Sequence, residues 1–274
     1  MNPTSAVTRP AAVAGMFYPA SPEALRASVR ALLGEAGADD APAPKVLVVP
    51  HAGYVYSGST AARGYATLRR VAGQVRRVVL IGPAHRVAVR GVAIPSVDRF
   101  ETPLGTVELD HAALDALAAA PDVVRSDRAH AAEHALEVQL PFLQEVLADF
   151  TLVPLVVGDA TPDEVAAVLD RVWGGPETLI VVSSDLSHYL PYDAARRLDA
   201  MTLAQVLELG PELDHEQACG ATPINALMHL ARRRRLRPRL LAACSSGDTA
   251  GDRERVVGYA SLAFTVEDRG PAAS

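Results

Sequence analysis

Thr178–Tyr189, TLIVVSSDLSHY, joins a short apolar run to an abrupt polar cluster that carries a carboxylate and an imidazole. Thr178, Ile180, Val181 and Val182 are β-formers without alternation, the pattern of a strand covered on both faces in a parallel sheet, although a buried helix segment shares it. In open α/β sheets ligands bind beyond the carboxyl ends of the strands. Ser183, Ser184, Asp185 and His188 therefore fall at the rim where a site is expected.

Outward from this stretch the same grammar recurs. KVLVVP at 45–50 reads as a central strand that ends at His51, and RRVVLIGPAHR at 76–86 reads as another that ends in Gly82, Pro83 and His85. FTLVPLVVGD at 150–159 is a third, and RLLAACSSGD and GYASLAFTV supply the last two. Helices are expected between them. Ser21 and Pro22 start one with Leu25, Val29, Leu32 and Leu33 on one face, and another follows Gly53 and Gly58. EHALEVQLPFLQEVL, from Glu133, repeats leucine at helical spacing, with Pro141 bending the helix or limiting its start. Thr161, Pro162 and Glu164 form a capping-box-like start to a helix through Val172. Further helices are expected over 110–120, over 193–209 and from Thr222 and Pro223 onward, and the short β-like pieces of 91–108 read as a hairpin or edge excursion. This alternation predicts one α/β domain over 1–274, with a mainly parallel central sheet flanked by helices. Its ordered core is expected at about 7–267, with a disordered tail from Asp268.

Composition narrows the function. The net charge of −6 and pI near 5.8 argue against a nucleic-acid surface. No apolar run approaches the roughly 20 residues of a membrane span. Arg9 and two prolines interrupt the first residues where a signal peptide needs an unbroken apolar core, and with only Cys219 and Cys244 there is no disulfide framework. A cytoplasmic protein is expected. Dinucleotide, P-loop, GxSxG, CxxC and HExxH motifs are all absent.

His51, His85, Asp185 and His188 share a property that one histidine alone lacks: each lies near the carboxyl end of a buried strand. Neighbouring strands lie about 4.8 Å apart, so adjacent ends would bring these groups together. A lone histidine at such a place is more often a hydrogen-bonded structural residue. Cys219 lies just ahead of a helix start, where the helix dipole favours a thiolate, but a free cysteine is also an ordinary core residue. Cys244 reaches a strand end as well, and spacing does not choose between the two thiols. His134 with Glu133 reads as a rim pair or a solvated helix start. His215 and His229 read as surface or packing residues, His111 as solvated, and Arg232–Arg235 as a solvated helix end.

PHAGYVYSG at 50–58, IGPAHR at 81–86, EHALEVQLPF at 133–142, LVPLVVG at 152–158, VVSSDLSHY at 181–189 and CGATPI at 219–224 resemble, in order, the Memo family, whose prokaryotic members are called AmmeMemoRadiSam system protein B. The resemblance covers nearly the whole chain. It implies the α/β fold of the class III extradiol dioxygenase catalytic subunit, an enzyme of the protocatechuate 4,5-cleaving type that uses non-haem iron. It also implies a metal held by His51, His85 and Cys219, which makes Cys219 rather than Cys244 the site thiol. His188 and Asp185 would be the catalytic pair, and His134, Glu133, Tyr54, Ser183 and Ser184 would complete the pocket. The dioxygenases carry a carboxylate where Cys219 stands, and a thiolate suits copper or zinc as well as iron(II).

Eukaryotic Memo is associated with cell-motility signalling, phosphotyrosine-peptide binding and metal-dependent redox chemistry, and the bacterial genes accompany a radical-SAM protein. The expected partners are thus a small molecule or peptide and proteins of the radical-SAM system, with no nucleic acid and no membrane. Three functions are in play: a metal-dependent oxidoreductase, a non-catalytic binding module using the same cleft, and a zinc-dependent hydrolase.

Overall fold

The unalternating apolar runs fold as strands covered on both faces: every residue of Val46–Val49 and of Thr178–Ser183 is buried. The computed structural model describes residues 6–37 and 41–266, so the tail from Asp268 and the centre of the loop at 36–44 lie outside the described residues. In chain order the first elements are β1 (Thr8–Arg9), α1 (Pro22–Ala36), β2 (Val46–Val49), α2 (Tyr54–Ala66), β3 (Arg77–Pro83) and β4 (Val92–Ile94). Next come β5 (Arg99–Thr102), β6 (Gly105–Glu108), α3 (His111–Ala118), β7 (Val123–Arg125), α4 (Asp127–Ala131), α5 (His134–Glu137) and α6 (Leu140–Val146). The remainder are β8 (Thr151–Val157), α7 (Pro162–Arg171), β9 (Thr178–Ser183), β10 (His188–Leu190), α8 (Tyr192–Leu207), α9 (Ala221–Arg234), β11 (Leu236–Ser245) and β12 (Val256–Val266).

One nine-stranded sheet runs in the order β10-β12-β2-β9-β3-β8-β4-β7, and β11 also pairs with β12. Its centre, β2-β9-β3-β8, is parallel throughout, with Val48 opposite Val182 and Ile81 opposite both Val182 and Leu155. Antiparallel pairings bound it: β12 on β2, and β4 on β8. The sheet is therefore mixed, with helices packed around a parallel centre and one continuous apolar core. The piece expected as a hairpin or edge excursion over 91–108 divides between two sheets. Its first part, β4, joins the main sheet, while β5 and β6 pair as a hairpin that β1 extends into a separate three-stranded sheet.

Local chemistry sets the helix ends. Ser21 caps α1 by accepting from Ala24 N, with Pro22 in the first turn, and Thr161 and Glu164 form the reciprocal capping box of α7. The segment EHALEVQLPFLQEVL is two short helices rather than one. Pro141 has no N–H for the carbonyl of Glu137 and its ring crowds that carbonyl, so α5 stops at Glu137 and α6 restarts around the proline. Among the described residues no helix is long and apolar enough to cross a membrane.

Candidate metal centre

The strand order places the carboxyl ends of β2, β9 and β3 side by side, and each end carries a polar residue of the expected set. His51 follows β2, Ser183 ends β9 and leads to Asp185, and His85 follows β3. A fourth group arrives from α5. Gly82 makes that approach possible, because a Cβ there would meet Leu136 Cδ2 at 3.2 Å, Ser183 Cβ at 3.3 Å and Ala135 Cβ at 3.4 Å. With α5 seated on β3, His134 faces His51 and His85: the ring centroids are 5.1 Å apart for His51 and His85, 5.3 Å for His51 and His134, and 4.6 Å for His85 and His134. One ring nitrogen from each lies within 4.8 Å of the others.

Two of the rings are tied back through Nδ1. His51 Nδ1 is 2.9 Å from Ser183 Oγ, and His85 Nδ1 is 2.9 Å from Glu133 Oε1. Glu133 also accepts from the backbone nitrogens of His85 and Ala135. His134 Nδ1 is buried 3.3 Å from the same Oε1 without hydrogen-bond alignment, and the Phe17 ring packs on His134 at 4.7 Å. Burial opposes the charge on Glu133, but the close approach of His134 Nδ1 and the hydrogen bond from His85 hold its carboxyl well below the usual carboxylate range. Burial, then the neighbouring His85 and His134, holds His51 well below the usual histidine range. At neutral pH, then, an uncharged imidazole faces the cleft with an ionised carboxylate behind its neighbours.

Cys219 comes against the His51 side of this cluster from the loop before α9. Its Sγ lies 3.3 Å from His51 Nε2 and 3.8 Å from Ser184 Oγ. Gly220 permits the approach, since a Cβ there would stand 2.6 Å from Ser184 Cβ; the Gly220 N–H donates to Ser184 Oγ at 2.9 Å. The thiolate expected from the helix dipole is not what burial dictates. Desolvation, then the charge of Asp185, pushes the Cys219 thiol up to about 12, so the metal-free sulfur keeps its proton.

Asp185 is buried and accepts from His51 N at 2.7 Å, with its second oxygen 3.9 Å from His51 Nε2. Desolvation raises its carboxyl to about 6. His188 Nδ1 is 2.8 Å from Leu186 O, which leaves Nε2 as the free ring nitrogen, and the side chain lines the same cleft.

The cleft measures about 650 Å³. Tyr189, Leu190, Leu198, His215 and Glu216 line it beside the imidazoles, Asp185 and Cys219, and among the described residues no lysine or arginine does. A pocket rich in lone pairs and without a cationic side chain suits a cation. The next residue, Tyr189, is exposed and takes φ 60°, a left-handed backbone that a bulky residue adopts only when its surroundings impose it.

The expected residues thus divide. His51, His85, His134, Asp185, His188 and Cys219 come together in one cleft, while Glu133, Ser183 and Ser184 stand behind it as hydrogen-bond partners. Tyr54, expected in the pocket, does not line it. Its hydroxyl donates to Val138 O at 2.7 Å and its ring packs between Tyr18 and Phe142, because α2 turns that face toward the core. His215, expected as a surface or packing residue, is exposed and also lines the cleft; its place four residues before Cys219 in HEQAC was the available signal for that second role. Cys244 lies elsewhere, 3.0 Å from Thr60 Oγ1.

A donor set of this kind fits a transition ion. Ligand atoms about 2.0–2.3 Å from one tetrahedral ion stand roughly 3.3–3.8 Å apart. The His51 Nε2 to Cys219 Sγ distance of 3.3 Å is of that order, and the three ring nitrogens lie within 4.8 Å of one another.

Comparison with known proteins agrees with the sequence blocks. The family model described as Memo-like protein matches residues 9–263. A MEMO1 family protein of Ignicoccus hospitalis is 37% identical, over 94% of this chain and 99% of its own length. One from Archaeoglobus fulgidus is 36% identical over 93% and 98%, and one from Aquifex aeolicus is 35% identical over 93% and 98%. Among solved structures, the crystal structure of uncharacterized protein JW3007 from Escherichia coli K12 is similar at a TM-score of 0.48 and 15% identity, covering 79% of this chain and 98% of that one.

Proposed function

The chain belongs to the Memo family, and on that premise we propose that its cleft binds one transition-metal ion, iron(II) or copper, and works as a metal-dependent oxidoreductase. The observation that carries this reading is the meeting of three imidazoles, with a thiol against His51, in a pocket that no cationic side chain lines among the described residues. His51 and His85 would hold the ion with Cys219, and His134 stands in reach as a further nitrogen donor. Imidazole and thiolate together suit iron and copper, and the ion would supply the electron transfer that no side chain here can perform.

The chain's own residues do the rest. Glu133 orients His85 by accepting from Nδ1 and from the backbone nitrogen of the same residue, as carboxylate partners of metal-bound histidines do. Asp185 fixes the backbone at His51. Cys219 enters as a buried thiol, so capture of the ion releases a proton. His188 has its Nε2 left over from the contact to Leu186 O and lines the cleft, where an imidazole can pass a proton to or from a bound substrate. A small molecule or a short peptide segment fits the volume.

A second reading has its own support. Three imidazoles are also the donor set of some catalytic zinc sites, in which the metal activates water for hydrolysis. Oxygen dependence of any turnover separates the two. The binding itself is tested by loading protein prepared under reducing, anaerobic conditions with Fe(II), Cu or Zn and measuring retained metal. Near one ion per chain is expected, and failure to retain any of the three would sink the metal reading in favour of a binding module.

A further inference from the structure

The use of His51 as a ligand requires a bare ring nitrogen toward the cleft, and the core behind the cleft decides which nitrogen that is. Ser183 Oγ has three neighbours: Ala135 O at 2.6 Å, Gln139 Nε2 at 2.9 Å and His51 Nδ1 at 2.9 Å. A hydroxyl has one proton to donate and two lone pairs to accept with. A carbonyl oxygen only accepts, so the Ser183 proton belongs to Ala135 O.

Gln139 is oriented by the same logic. Its Nε2 lies 2.9 Å from Pro50 O, another pure acceptor, and its Oε1 accepts from the Tyr65 hydroxyl at 2.8 Å. The amide nitrogen therefore donates its second hydrogen to Ser183. One lone pair of Ser183 remains, and it faces His51 Nδ1. Two acceptors do not share a 2.9 Å contact, so the hydrogen between them sits on the ring. None of Tyr65, Gln139, Ser183 and His51 is more than 2% exposed, which leaves water no access to substitute for any partner.

We infer that Ser183, itself held by the buried chain from Tyr65 through Gln139, fixes His51 in the tautomer protonated at Nδ1 and so turns a bare Nε2 toward Cys219 and the cleft. Ser183 and Gln139 are thus positioning residues, although neither reaches the cleft. The use of that lone pair as a metal ligand rests on the function proposed above, whereas the tautomer itself belongs to the metal-free protein.

The test is nitrogen NMR of histidine-labelled, metal-free protein above the usual histidine titration range, with the His51 signals assigned by their loss in His51→Gln. A hydrogen-bearing Nδ1 and a bare Nε2 are expected. A hydrogen on Nε2, or a mixture of the two tautomers, overturns the inference from the wild type alone, whatever the variants do. Ser183→Ala is expected to give a mixture and Ser183→Thr to restore the single form; retention of the single form in Ser183→Ala would equally overturn the role of Ser183. A zinc titration of the same samples keeps the two proposals apart. An Nδ1-protonated His51 in a wild type that takes no zinc, iron or copper upholds the tautomer and removes the metal function, whereas metal binding to a wild type with the other tautomer does the reverse.

Discussion

The two cysteines sit in environments that share little beyond the residue type. Cys219 lies 3.3 Å from His51 Nε2 in a cleft that also holds His85, His134 and His188. Cys244, on β11, lies 3.0 Å from Thr60 Oγ1 and lines a separate cavity of about 490 Å³ with Tyr192, Arg196, Asp199, Asp248 and Tyr259, where no imidazole reaches it. Burial raises both thiols, so neither is activated by its own surroundings. The difference lies in company. A thiol becomes a ligand candidate here because two strand ends and a short helix gather nitrogen donors beside it.

The sharpest way to break this contrast is to remove the donors one at a time and measure metal affinity by titration calorimetry. His51→Ala is expected to lower affinity more than about 100-fold, and Cys219→Ser by about 10–100-fold or more, because a serine hydroxyl stays protonated and is a poor partner for a soft ion. Cys244→Ser is expected to bind as the wild type does. Equal effects from the two cysteines would end the contrast.

Gly220→Ala tests the close approach that brings Cys219 to the cleft. The added carbon would meet Ser184 at 2.6 Å, so a loss of about 1–3 kcal/mol in chemical denaturation is expected, as for other overpacked sites. A variant as stable as wild type, with unchanged metal affinity, would show that the loop has slack.

Asp185 gives a smaller effect with a definite sign. Burial raises its folded-state pKa to about 6 from an ordinary value of 3.8, so its contribution to metal-free stability is fully present below 3.8 and is lost as pH rises through about 6. The slope over that window is at most about 1.4 kcal/mol per pH unit. Asp185→Asn is expected to lack that decline when urea midpoints are compared at several pH values. Glu133 works in the opposite sense: its lowered pKa contributes stability above the ordinary carboxylate range, lost as pH falls through the folded value. The smallest effect is expected for His188→Ala. Metal affinity should stay within about 10-fold of wild type while turnover of any substrate falls, which would place His188 beside the ion rather than on it.

Much of the fold was legible because unalternating apolar runs have few other uses in a chain of this length. The strand readings at 45–50, 76–86, 150–159 and 178–183 correspond to β2, β3, β8 and β9, and the Thr161 capping box is present as read. Less legible were β1, β7 and β10, which are two or three residues long and take their conformation from partners distant in sequence. The leucine-spaced segment from Glu133 divides where Pro141 was read as bending a helix or limiting its start, since Pro141 denies a partner to the Glu137 carbonyl and stands in the first turn of α6. Tyr54 was misplaced because a motif carries a residue's identity without the face on which its helix turns it.

From the sequence alone came the residues with chemistry to offer and the ends of the strands that carry them, because period and polarity are local properties. Only the tertiary structure decided which of those ends meet. β9 follows β3 by nearly a hundred residues yet inserts between β2 and β3, and that order sets His51, Ser183 and His85 side by side. Likewise, the seating of α5 over Gly82 brings His134 into the cluster, and the Gly220 turn brings Cys219, through contacts that depend on atoms far apart in the chain. A hydrogen-bond network such as Tyr65, Gln139, Ser183 and His51 exists only after those packing choices are made, since each donor is matched to an acceptor that sequence distance conceals.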